Sequence, residues 1–88
     1  MDIQAITKRQ SPTVADLVAG RLHREAILLE LANRWRAHQA PPSYADLAAM
    51  VGLTVPGVQH HAEKLRKAGL VHPGFLWLTA RGYARRPR

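Results

Sequence analysis

Pro42-Ser43-Tyr44-Ala45-Asp46-Leu47-Ala48-Ala49-Met50-Val51-Gly52-Leu53-Thr54-Val55-Pro56-Gly57-Val58-Gln59-His60-His61-Ala62-Glu63-Lys64-Leu65-Arg66-Lys67-Ala68-Gly69 contains two helix starts and two helix stops in close succession. Ser43 is a good N-cap, and Asp46 three residues on stands where a capping box takes Glu. Leu47 and Val51, four apart, give the short helix Tyr44 to Val51 one buried edge, and Gly52 suits its C-terminal end. Only Leu53 and Thr54 separate it from the next helix, whose first turn holds Pro56, a residue that has no N–H to leave unpaired there. Val58, Ala62 and Leu65 form the core side of that second helix. Gly69 closes it, with Leu70 placed for the apolar contact of a Schellman ending.

Upstream, Gln39-Ala40-Pro41-Pro42 stops a preceding helix, because a residue before proline is driven out of the α region. That helix begins at Ser11-Pro12, and Gly20 leaves two alternatives, one long helix or two meeting near the glycine. At about 100° per residue, Ile27, Leu28, Leu31 and Trp35 share one face, while Val18, Leu22, Ala26 and Leu29 cluster on nearly the opposite one. A small monomer needs one buried stripe. The second must meet the N-terminal segment or another chain, and a dimer interface is the expectation. Downstream, Leu70-Val71-His72, Pro73-Gly74 and Phe75-Leu76-Trp77-Leu78-Thr79 read as two short strands joined by a tight turn, with Thr79 to Tyr83 as a last helical turn.

The fold class is therefore mainly α with a small β-hairpin, a winged helix-turn-helix. Residues 1–10 are expected to be a flexible arm, 11–84 the domain with its helical extension, and 85–88 a basic tail. Pro41 to Leu53 resembles the DNA-binding domain of LexA repressors, and Val58 to Val71 resembles that family's recognition helix and first wing strand. Leu78-Thr79-Ala80-Arg81-Gly82 is similar to the Leu-Thr-x-x-Gly that follows the wing in MarR-type regulators. The turn from Leu53 to Val58 is closer to MarR than to LexA spacing, and the Pro73-Gly74 wing turn is short. Nothing in the chain matches the self-cleaving domain of LexA, so the resemblance implies the DNA-binding half alone.

Composition agrees with a nucleic-acid partner. Thirteen Lys and Arg against six Asp and Glu give a net charge of +7 on 88 residues, with a pI near 11.2. Basic charge by itself fits any polyanion. Its placement is more telling, since residues 41–88 carry seven basic side chains but only Asp46 and Glu63 as acids. Cysteine is absent, which removes disulfides, thiolate zinc sites and thiol catalysis. Apolar runs are too short for a membrane span, and the N-terminus lacks a secretory pattern, so the expected location is cytoplasmic and nucleoid-associated. A glycine-rich phosphate loop, an acid pair and an activated nucleophile are all missing, so an enzyme is not expected. No cofactor, metal or small-molecule effector is implied.

Double-stranded DNA is the expected partner. Opposite the core side of the second helix lie Pro56, His60, Glu63 and Lys67, with Gln59 at the flank. In a major groove Gln59 suits adenine, His60 a guanine acceptor and Glu63 cytosine N4. Gly57 permits close backbone approach, and Ser43 and Thr54 can meet phosphate besides capping. Lys64, Lys67, Arg81, Arg85 and Arg86 supply backbone charge, to which Arg66 adds. The plain alternative for each is a solvated helix face or tail. His61 is expected to pack at the core edge, and His60, His61 and His72 are not expected to hold a metal, since adjacent helical residues diverge. These features point to a dimeric bacterial or phage transcriptional repressor on two half-sites. A winged-helix protein-interaction module and a DNA-packaging or replication accessory are the rivals.

Overall fold

A computed structural model describes residues 14–87, with side chains from residue 18 onward. The arm over residues 1–10, the Ser11-Pro12 start and Arg88 lie outside the described residues.

Helix α1, Val14–Arg36, is continuous, which decides between one helix and two. Its run through Gly20 has a steric reason: a Cβ there would sit 3.3 Å from Arg24 Nη1 and 3.7 Å from His61 Cε1, so the bare backbone leaves room for Arg24 to cross toward a neighbouring helix. The helix ends before the proline pair rather than at it. His38 takes the left-handed conformation at φ 57°. The Gln39 amide reaches back to the Arg34 carbonyl at 2.9 Å and the His38 amide to Trp35 at 3.0 Å, a Schellman ending with histidine where glycine is usual.

Helix α2, Tyr44–Val51, starts on Ser43, whose Oγ accepts the Asp46 amide at 3.0 Å. Gly52 closes it at φ 72°. Helix α3, Val55–Lys67, starts on Thr54, whose Oγ1 accepts the Gly57 amide at 3.1 Å. It ends in a Schellman turn, with Gly69 at φ 76° and the Leu70 amide 2.9 Å from the Leu65 carbonyl.

These helices bury one shared core: Ile27, Leu28, Leu31 and Ala32 from α1, Leu47 and Ala48 from α2, and Val58, Ala62 and Leu65 from α3. Each fully buried aliphatic side chain contributes about 1.5–3 kcal/mol. Val71, Leu76 and Leu78 close the core from the segment after α3. That segment differs from the expected two-strand hairpin. Among the described residues it forms a single antiparallel bridge, Val71 with Leu78. The flanking bonds, His72 amide to Trp77 carbonyl at 2.7 Å and Thr79 amide to Leu70 carbonyl at 3.2 Å, are the whole ladder. The Trp77 amide turns back to the Phe75 carbonyl at 2.9 Å instead of pairing across, and Pro73 has no amide to offer, so Pro73-Gly74 does not act as a two-residue hairpin turn.

Helix α4, Ala80–Ala84, is capped by Thr79, which accepts the Gly82 amide at 3.0 Å and donates its hydroxyl to the Gly69 carbonyl at 2.7 Å. Gly82 lies directly on the Leu70 backbone, where a Cβ would overlap the Leu70 carbonyl. The Leu-Thr-x-x-Gly run is thus a clamp holding α4 on the end of α3. Trp35 was expected on the core stripe but is 42% exposed, with its ring edge-on to Tyr83 of α4 at 4.3 Å between centroids.

The second α1 stripe faces outward. Val18 is 51% exposed, Leu22 57% and Leu29 39%, with Ala26 half-buried. Leu22 lies about 160° around α1 from Gly20, the position that meets α3. The order across the domain is therefore stripe, α1, core, α3. Among the described residues no helix is long and apolar enough to cross a membrane.

Candidate nucleic-acid interface

The core side of α3 is buried at Val58, His61, Ala62 and Leu65, which fixes what its other side presents. Pro56, Gln59, His60, Glu63, Lys64 and Lys67 are exposed along that other side, with Gly57 half-buried beside the Thr54 cap. The structure brings these residues onto one face of one helix. Ser43 and Thr54 are exposed at the starts of α2 and α3, and both hydroxyls are already engaged as acceptors of helix amides. Each retains its own O–H to give to a phosphate oxygen.

The frame that holds α3 includes a residue first read as surface charge. Arg66 donates from Nε to the His72 carbonyl and from Nη2 to the Tyr44 hydroxyl, both at 2.9 Å. Its guanidinium ties α3 to α2 and to the bridge segment at once. Arg66 is therefore a strut and not a free groove cation.

The C-terminal arginines divide. Arg81 is exposed and its guanidinium lies beside Gly69, with Nη1 3.3 Å from where a glycine Cβ would be, so it stands at the end of α3. Arg85 is exposed just past α4. Arg86 folds back, donating to the Tyr83 carbonyl at 2.7 Å with its guanidinium 3.9 Å from the Tyr83 ring centroid. The Tyr83 ring in turn meets Trp35 of α1 edge-on.

His61 is 9% exposed, as its place at the core edge implied. The Arg24 guanidinium lies 3.4 Å from its Nδ1, within reach to donate to that nitrogen when it carries no proton. The rings of His23 and His60 approach the His61 ring at 5.5 and 5.4 Å. Burial holds the His61 pKa below the usual histidine value, and the positive charges of Arg24, His60, His23 and Lys64 push the same way. His23 and Arg24 carried no signal in the sequence, because the helix that brings them to His61 is remote in the chain. His72 stands apart, its Nδ1 accepting the Gly74 amide at 3.0 Å and its ring 4.2 Å from that of exposed Phe75. Among the described residues no group of three or more His, Asp or Glu is arranged to hold a metal ion.

A capped short helix, a tight turn and a second helix with one buried and one polar basic face, followed by a bridged segment, make up the architecture of a DNA-reading module. A family model described as winged helix-turn-helix DNA-binding matches residues 24–72, more than half of the chain, and the protein belongs to that family. Comparisons with curated proteins and with solved structures gave no match.

Proposed function

We propose that the protein is a sequence-specific transcriptional regulator that reads duplex DNA with α3 and acts as a homodimer. The observation that carries the reading is the two-sided character of α3: one side locked in the core and strutted by Arg66, the other presenting Gln59, His60, Glu63, Lys64 and Lys67. A rigid helix displaying an amide, an imidazole and a carboxylate matches the donor and acceptor pattern of base edges, each good bidentate pair being worth about 1–3 kcal/mol of discrimination. Lys64, Lys67, Arg81 and Arg85 supply sequence-independent attraction to phosphate. Its effect on transcription is by occupancy, with no chemical step, and the LexA resemblance favours repression. Pairing through Val18, Leu22, Ala26 and Leu29 would cover the exposed stripe and raise the affinity of a weak single module.

Selection of bound sequences from random duplexes, followed by a salt series, tests this. A defined motif should emerge, with affinity falling steeply as salt rises. Gln59→Ala should flatten preference at one or two positions, while Lys67→Ala should weaken all sequences alike and lower the salt slope by about one. Absence of duplex binding at low salt would refute the reading. Leu22→Glu should give a monomer by sedimentation, and a monomeric wild type would remove the dimer.

A further inference from the structure

The junction between α1 and α3 gathers positive charge around one buried imidazole. Arg24 is half-buried, with its guanidinium over Gly20 and 3.4 Å from His61 Nδ1. Lys64 adds a permanent charge from α3, and His23 and His60 flank the ring from the two helices. Among the described residues the charged groups that act on His61 are all basic. Glu25, the acid next to Arg24, is taken by Arg21 at 3.3 Å. Cations held together without a counter-ion repel one another, and an anion placed among them removes that cost.

We propose that His23 and Arg24 of α1, with His60, His61 and Lys64 of α3, form a phosphate site that takes a backbone phosphate of the duplex read by α3. This inference rests on the DNA reading given above. Arg24 offers guanidinium N–H donors suited to phosphate oxygens, and the imidazoles offer ring N–H donors. Lys64 supplies a point charge at the rim. The site extends the DNA interface from α3 onto α1 and locks the orientation of the reading helix.

The test measures duplex affinity against salt for wild type, Arg24→Gln, Arg24→Lys and His23→Gln, with folding checked by circular dichroism. Arg24→Gln should weaken all sequences alike and lower the salt slope by about one, and Arg24→Lys should restore the slope. His23→Gln should weaken all sequences while leaving sequence preference intact. Wild-type affinity and slope in Arg24→Gln, with wild-type affinity in His23→Gln, would overturn the site while leaving the reading by α3 standing. Inorganic phosphate forms a second arm, read by the imidazole resonances of His23 and His61. If phosphate moves those resonances but wild type binds no duplex, the site takes free phosphate and the duplex proposal falls with the DNA reading.

Discussion

Gly82→Ala should be among the most damaging single-methyl changes in the molecule. A Cβ on Gly82 would overlap the Leu70 carbonyl oxygen and stand 2.9 Å from its carbonyl carbon and 3.2 Å from its Cα. Leu70 cannot yield, because its amide is bonded to Leu65 at 2.9 Å in the turn that ends α3. Two responses are open to the fold. If α4 stays, the overpacking strain costs about 1–3 kcal/mol. If α4 lifts, the Thr79 cap is lost at about 1 kcal/mol. The Thr79 hydroxyl bond to Gly69 costs about another, and the packing of Tyr83 on Trp35 goes with it. The two routes together span about 1–3 kcal/mol, or a fall in Tm of roughly 5–20 °C for a domain this small. Thermal and urea unfolding by circular dichroism reads it. Thr79→Ala separates the routes: if Gly82→Ala releases α4, adding Thr79→Ala should cost little more, a strongly non-additive cycle. A Gly82→Ala protein melting within about 3 °C of wild type would refute the clamp.

Two further outcomes follow from the same geometry. His38→Gly should stabilise the protein by up to about 1 kcal/mol, because glycine removes the left-handed strain at φ 57° and gives back part of the gain as unfolded-chain entropy. A lower Tm would show that the His38 side chain contributes more than its backbone costs. In phosphate-free buffer, stability should decline as pH drops below about 6.5. His61 is held below that value in the folded state, so the unfolded chain takes up its proton first. Above about pH 7 this contribution is constant, and His61→Gln should flatten the slope. The same pH slope in His61→Gln as in wild type would assign it to other groups.

The helix-turn-helix part of the molecule was legible in sequence because its determinants are local. Ser43 and Thr54 cap helices three residues away, and Gly52 and Gly69 end them where the chain must turn left-handed. The buried faces of α1, α2 and α3 followed from spacing alone. What escaped was non-local. That Gly82 rests on the Leu70 backbone, that Arg66 reaches both Tyr44 and His72, and that Arg24 meets His61 all depend on packing between elements. The strands failed for a subtler reason. Apolar residues from Leu70 to Leu78 suggested a hairpin, but the chain inserts Leu76 into the core and turns at Phe75, which leaves one bridge. Trp35 matched the buried stripe in angle, yet it lies at the end of α1 where only α4 is left to cover it.

The outward stripe on α1 constrains what a pair of these proteins can do. Two copies joined through Leu22 and Leu29 would stand back to back, with both α1 helices in the middle and an α3 helix at each far end. In that arrangement the distance between the two α3 helices would be set by the thickness of two cores and the paired α1 helices between them, and the half-site spacing in sequences selected from random duplexes would report it.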